Sequence, residues 1–164
     1  NLFKMSVAEN VAMYKPGASR EEIMEALRQA RCEDILEKLP NGVDSVIGAR
    51  GVYLSGGEMQ RIALARAILK DAPIVLLDEA TAFADAENEY LIQKALDILL
   101  HGKTVLMIAH RLQTIVHADQ IIVMQRGGIA EQGTHEELMQ RQGVYAKMYH
   151  EYENSVSWKI GGWA

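Results

Sequence analysis

The sequence predicts an α/β fold, a parallel sheet with helices packed on its faces. Two observations carry this. The runs IVLL (74–77) and VLMIA (105–109) are continuously apolar, as strands covered on both faces are. Segments of helical period lie between and around them, so strands and helices alternate along the chain. Composition agrees: hydrophobic residues make up 49% and charged residues 24% of 164, the profile of a globular domain with a core. The net charge of -5 speaks against a general affinity for nucleic acid. Cys32 is the single cysteine, so no intrachain disulfide forms and a reducing compartment fits. No apolar run reaches the length of a membrane span, and the first residues do not read as the charged-then-apolar pattern of a secretory leader. The chain opens on Asn1, and the expectation is a piece of a longer protein.

Each element has a local reason. Ser19 and Glu22 form a capping box, and Ile23, Leu27 and Ala30 then mark one helical face. A short helix through DILEKL (34–39) stops at the Pro40-Asn41-Gly42 turn. The stretch at 44–53 reads as a loop because of its glycines. A long amphipathic helix follows LSGGE (54–58), with Ile62, Ala65, Ile68 and Leu69 along its buried face, and ends at Asp71-Ala72-Pro73. From Ala86 a helix carries Leu91, Ile92, Ala95, Leu96 and Leu99, and Gly102 closes it. A short helix at 111–118 precedes the strand DQIIVMQ (119–125). Arg126-Gly127-Gly128 turns that strand back into IAEQG (129–133) as a hairpin. Thr134 opens a second capping box and helix, and Gly143 separates it from a last helix bearing Tyr145, Tyr149 and Tyr152. The residues 153–164 read as an irregular tail.

In parallel sheets, ligands sit beyond the carboxyl ends of the strands. IVLL ends in Asp78-Glu79, and VLMIA ends in His110. An acid fixed at a strand end can hold Mg²⁺, and a second acid beside it can orient a water for attack on a phosphoryl group. The plain alternative is a strand that ends in acids because it ends at solvent. His110 suits contact with a terminal phosphate, or simply caps an element. His101, His117, His135 and His150 lack ligand spacing and read as surface residues. In LSGGE, helix-start N–H groups, two glycines and the Ser55 hydroxyl suit an anion, and equally suit an ordinary helix cap. Glu58 sits uneasily beside a phosphate unless it points sideways. The triplet Gly102-Lys103-Thr104 is a decoy: the earlier glycine of a phosphate loop is replaced by Asp97, and the triplet precedes a strand.

Together LSGGEMQR, IVLLDEAT, Asp85 and MIAHRL resemble, in order and spacing, the nucleotide-binding domain of ABC transporters. The resemblance runs from Leu2 to about Tyr152. It implies a P-loop NTPase-like parallel sheet core with an inserted helical subdomain at 18–69, a remaining core at 70–152, and a missing N-terminal part. The A-loop, the Walker A loop and the Q-loop glutamine are expected upstream. Carried over residue by residue, Leu54, Ser55, Gly56, Gly57 and Glu58 match the signature motif, and Asp78 the Walker B aspartate that helps hold Mg²⁺. Glu79 matches the catalytic glutamate, Asp85 the D-loop aspartate and His110 the switch histidine on the γ-phosphate. The implied cofactors are ATP and Mg²⁺. The implied partners are a second nucleotide-binding domain, paired head to tail, and a transmembrane domain fused upstream, at the cytoplasmic face of the cell membrane.

SVAENV and the loop at 46–58 are similar to the exporter-type branch, and EATAFAD to the group associated with iron–siderophore uptake. Three positions depart from the branch: Glu58 replaces a frequent glutamine, Ala49 a frequent glutamate, and Phe83-Ala84 the usual Ala-Leu. The implied function is the C-terminal part of a transport ATPase. The alternatives are a soluble ABC-type ATPase of DNA repair or translation, and a fragment without catalysis.

Overall fold

A computed structural model describes residues 2–48, 52–78, 86–109 and 112–161. They fall into two compact units, Asn1–Met107 and Ile108–Ala164. In the first unit, strand β1 (Met5–Ser6) runs directly into helix α1 (Val7–Ala12). The Ser6 hydroxyl accepts the Glu9 N–H, and the Glu9 carboxylate accepts the Ser6 N–H. Helix α2 (Arg20–Gln29) starts with the expected Ser19–Glu22 box and buries Ile23 and Leu27, with Ala30 at its end. Helix α3 (Glu33–Lys38) stops before the turn at Pro40. Strand β2 (Val46–Ile47), within a stretch expected to be loop, pairs antiparallel with β1.

Helix α4 (Gly56–Lys70) ends at Asp71, whose φ of 49° is left-handed, so Asp71 takes the stop position that glycine usually holds. The helix is less amphipathic than expected. Leu64, Arg61 and Arg66 are buried alongside Ile62, Ala65 and Leu69, while Ile68 is only half-buried. The cause is its position: α1, α2 and α5 all pack on it. Strand β3 (Ile74–Asp78) leads through α5 (Ala86–Leu100) to β4 (Thr104–Ile108), its partner in a two-stranded sheet. The Thr104 N–H donates to the Pro73 carbonyl at 3.1 Å, which joins the two strand starts and fits a parallel crossover.

The expectation that both strands are covered on two faces is corrected. Val75 and Leu77 pack against the helical core, but Ile74 is 61% exposed, Leu76 72% and, in β4, Leu106 58%. Helices cover one face of β3, whereas all five residues of β4 are exposed, Val105 and Met107 included.

In the second unit, the expected helix at 111–118 is a single 3-10 turn, Leu112–Ile115. Strands β5 (Ile121–Gln125) and β6 (Gly128–Gly133) form the expected hairpin. Its two loop residues, Arg126 and Gly127, have φ of 50° and 80°, the mirror-image turn that matches strand twist. Helix α6 (His135–Arg141) starts with the Thr134–Glu137 box. Helix α7 (Val144–Gly161) is capped from β6, where both Glu131 oxygens accept the Val144 and Tyr145 N–H groups at 2.8 and 2.9 Å. It continues through 153–161, read above as irregular. No Pro or Gly interrupts 144–160, so nothing in the chain stops the helix. His135 is also corrected. It is half-buried and bonds the Tyr145 hydroxyl at 2.8 Å. Among the described residues no helix is long and apolar enough to cross a membrane.

Candidate functional site

The site is built at the start of α4. Upstream, the Val52 N–H donates to the Val46 carbonyl at 3.3 Å, tying the approach to β2, and Leu54 is buried as an anchor. Ser55 is the N-cap in extended geometry. Its hydroxyl accepts the Glu58 N–H at 3.2 Å, and its own N–H donates to Glu58 Oε2 at 2.8 Å. The N–H groups of Gly56 and Gly57 occupy the first two helical positions, where no intrahelical carbonyl faces them. The helix dipole adds partial positive charge there. Gly56 is exposed and Gly57 buried. This entrance therefore carries two helix-start donors, exposed at Gly56 and buried at Gly57, beside a Ser55 hydroxyl whose proton is shared with the Glu58 carboxylate.

Glu58 settles the tension noted in the sequence. Its carboxylate turns back along the helix start, and Lys38 Nζ donates to its second oxygen at 3.1 Å. Partial burial pushes the Glu58 pKa up, but the Ser55 N–H, Lys38 and the Ser55 hydroxyl outweigh that and hold it below the usual value. The group stays ionised at neutral pH, with its charge directed toward Ser55 and Lys38.

Three supporting contacts have no local signal in the sequence. Arg61, one turn into α4 and 1% exposed, forks onto Asp34 of α3 at 2.7 and 2.9 Å and also donates to the Arg31 carbonyl. Arg66 donates to the carbonyl and the side-chain oxygen of buried Asn10, at 2.7 and 3.0 Å, fixing α1 against α4. Asn88 of α5 stands against Gly57. A side chain begun at Gly57 would place its Cβ 2.7 Å from Asn88 Cβ and Cγ. Gly57→Ala is therefore expected to force α4 and α5 apart at a cost of about 1–3 kcal/mol. A lowered thermal unfolding midpoint checks this, and an unchanged midpoint contradicts it.

Asp78 is the last residue of β3 and exposed, which suits an oxygen ligand for a hard cation. Glu79, Asp85 and His110 lie outside the described residues. So do Ala49 and Phe83-Ala84. The structure thus brings Leu54, Ser55, Gly56, Gly57 and Glu58 together at one helix entrance and places Asp78 on a separate strand end.

A sequence profile described as ABC transporter matches residues 1–82, half of the chain. The chain is 53% identical over 148 residues to an ATP-dependent lipid A-core flippase of Legionella pneumophila (strain Lens), covering 90% of this chain and 25% of that protein. It is 54% identical over 144 residues to the mycobactin import ATP-binding/permease protein IrtA of Mycolicibacterium smegmatis, covering 88% of this chain and 17% of that one. A solved structure described as a bacterial Atm1-family ABC exporter with ATP bound superposes with a TM-score of 0.78 at 42% identity, over 92% of this chain and 26% of its own. The chain spans about a quarter or less of the length of these proteins.

Proposed function

This chain belongs to the ABC transporter family, and on that basis we propose that it is the C-terminal part of the ATP-binding and ATP-hydrolysing domain of an exporter-type transporter. The observation that carries the reading is the α4 entrance: two helix-start N–H positions beside the Ser55 hydroxyl, with the Glu58 carboxylate turned back onto Ser55 and Lys38. A donor set of that kind fits a phosphate, and the similar exporter structure is described as holding ATP. In this reading Ser55, Gly56 and Gly57 close over the γ-phosphate of ATP held by a facing domain, with Leu54 as the anchor and Glu58 as the cap. Asp78 would hold Mg²⁺, which supplies charge neutralisation on the phosphates when bound. Glu79 takes the proton from the attacking water, His110 contacts the terminal phosphate, and Asp85 lies at the interface between the two domains. The transmembrane part lies elsewhere in the intact protein, with this domain at the cytoplasmic face.

The relatives also bear on cargo. One is named a flippase and another an importer, yet this region is 53% and 54% identical to them. Near-equal likeness to two such different tasks supports a region that carries the ATP chemistry and leaves cargo choice to other segments. The likeness to a mycobactin importer supports the siderophore-associated grouping of EATAFAD without fixing the cargo.

The test compares the intact protein with this 164-residue chain. The intact protein is expected to hydrolyse ATP with Mg²⁺ and to stop when the metal is chelated. The chain alone is expected to bind ATP weakly and hydrolyse it negligibly. Robust turnover by the isolated chain would contradict the shared-site reading.

A further inference from the structure

We infer that Lys38 is a positioning residue for the phosphate-binding entrance, acting by neutralising Glu58. The inference rests on the reading of the α4 start as a phosphate site, and it concerns a carboxylate found where the family frequently has a neutral glutamine. At the third helical position, Glu58 is stabilised by the helix dipole. The same position puts a negative charge within one turn of the two glycine N–H groups that would meet an anion. Left unpaired, that charge repels a triphosphate and is free to swing toward it.

The structure holds it in two ways. Oε2 is occupied by the Ser55 N–H at 2.8 Å, and Oε1 by Lys38 Nζ at 3.1 Å. The Glu58 side chain is only 13% exposed. Lys38, the last residue of α3, is itself steered by Asp34 one turn earlier, with Nζ 3.8 Å from Oδ2. Asp34 is in turn clamped by buried Arg61 of α4. The four groups form a closed set of two cations and two anions, Lys38, Arg61, Asp34 and Glu58, linking α3 to the head of α4. Removing Lys38 alone leaves a net negative charge beside the donors. Removing Lys38 when position 58 is already neutral leaves nothing there to compensate. Coupling of that sign is what distinguishes compensation from a lysine that touches phosphate directly.

The experiment is steady-state ATP hydrolysis by the intact protein in five forms: unchanged, Lys38→Ala, Lys38→Arg, Glu58→Gln, and Lys38→Ala combined with Glu58→Gln. Lys38 is mostly exposed, so the effect is that of a solvent-screened pair. Lys38→Ala is expected to raise KM for ATP about threefold to fivefold, with kcat less affected. The rise is expected to shrink at high salt, because the repulsion is screened. In the Glu58→Gln background, removing Lys38 is expected to leave KM where Glu58→Gln alone sets it, and Lys38→Arg is expected to restore the unchanged KM. An equal rise in both backgrounds overturns the inference, as does no rise at all. Ser55→Arg, run in parallel, separates the two levels. If Ser55→Arg abolishes hydrolysis while Lys38→Ala is silent, only the role of Lys38 falls. If Ser55→Arg hydrolyses normally, the phosphate reading itself falls.

Discussion

Glu79→Gln in the intact protein is expected to lower ATP turnover by about a hundredfold to ten-thousandfold while ATP binding persists. The amide keeps the size of the side chain and removes its basicity. A positioned general base contributes that range of rate, so an isostere without the base forfeits it. Binding is expected to survive because, under the proposed reading, it rests on other groups: the α4 donors, Asp78 through the metal, and the phosphate grip expected upstream. The measurement pairs single-turnover hydrolysis with equilibrium nucleotide binding. Near-normal hydrolysis would remove Glu79 from the catalytic role. Loss of binding together with turnover would instead mark it as part of the metal site.

The second large effect is structural. Arg61→Ala is expected to destabilise the first unit by about 2–4 kcal/mol. Arg61 is almost wholly buried, and its guanidinium joins the Asp34 carboxylate and the Arg31 carbonyl. Truncation removes a long packed stem, strips a partner from the Arg31 carbonyl and opens a void between α3 and α4. The loss sits below the upper end for a broken buried ion pair because the Asp34 side chain is 44% exposed and water can re-solvate it. Asp34→Asn is correspondingly milder, since the amide oxygen still accepts from the guanidinium. Chemical unfolding of the intact protein with both variants checks the order. Arg61→Ala no worse than Asp34→Asn would show that the buried stem and the carbonyl contact contribute little.

These two cases mark how far the sequence was legible. Capping boxes could be read because their chemistry is local: Ser19–Glu22 and Thr134–Glu137 are each three residues apart, and both head helices. The same spacing in Ser6–Glu9 heads only a six-residue helix, too short for an apolar face to announce it. The hairpin turn at Arg126-Gly127 was likewise written in its residues. The Arg61–Asp34 fork, the Arg66–Asn10 pair and the Gly57–Asn88 approach join positions 27, 56 and 31 apart, and no periodicity encodes them. Ser55, the glycines and Glu58 were legible as a helix head, but the direction of the Glu58 carboxylate depends on Lys38, which belongs to a different helix. The apolar run at 74–77 correctly marked a strand and wrongly implied cover on both sides, because a strand's composition reports what it can bury against, and not what is at hand.

That bare strand face has a practical side. The helical half of the first unit has its own interior, filled from α1 to α5. The sheet next to it ends in a ledge of Ile74, Leu76 and Leu106. Such a ledge is a template for unwanted self-association. Recombinant boundaries drawn at residues 1 and 164 would therefore favour inclusion bodies over soluble product. The remedy is a longer clone, because the relatives extend far beyond the matched region and no surface mutation in the helices touches the cause.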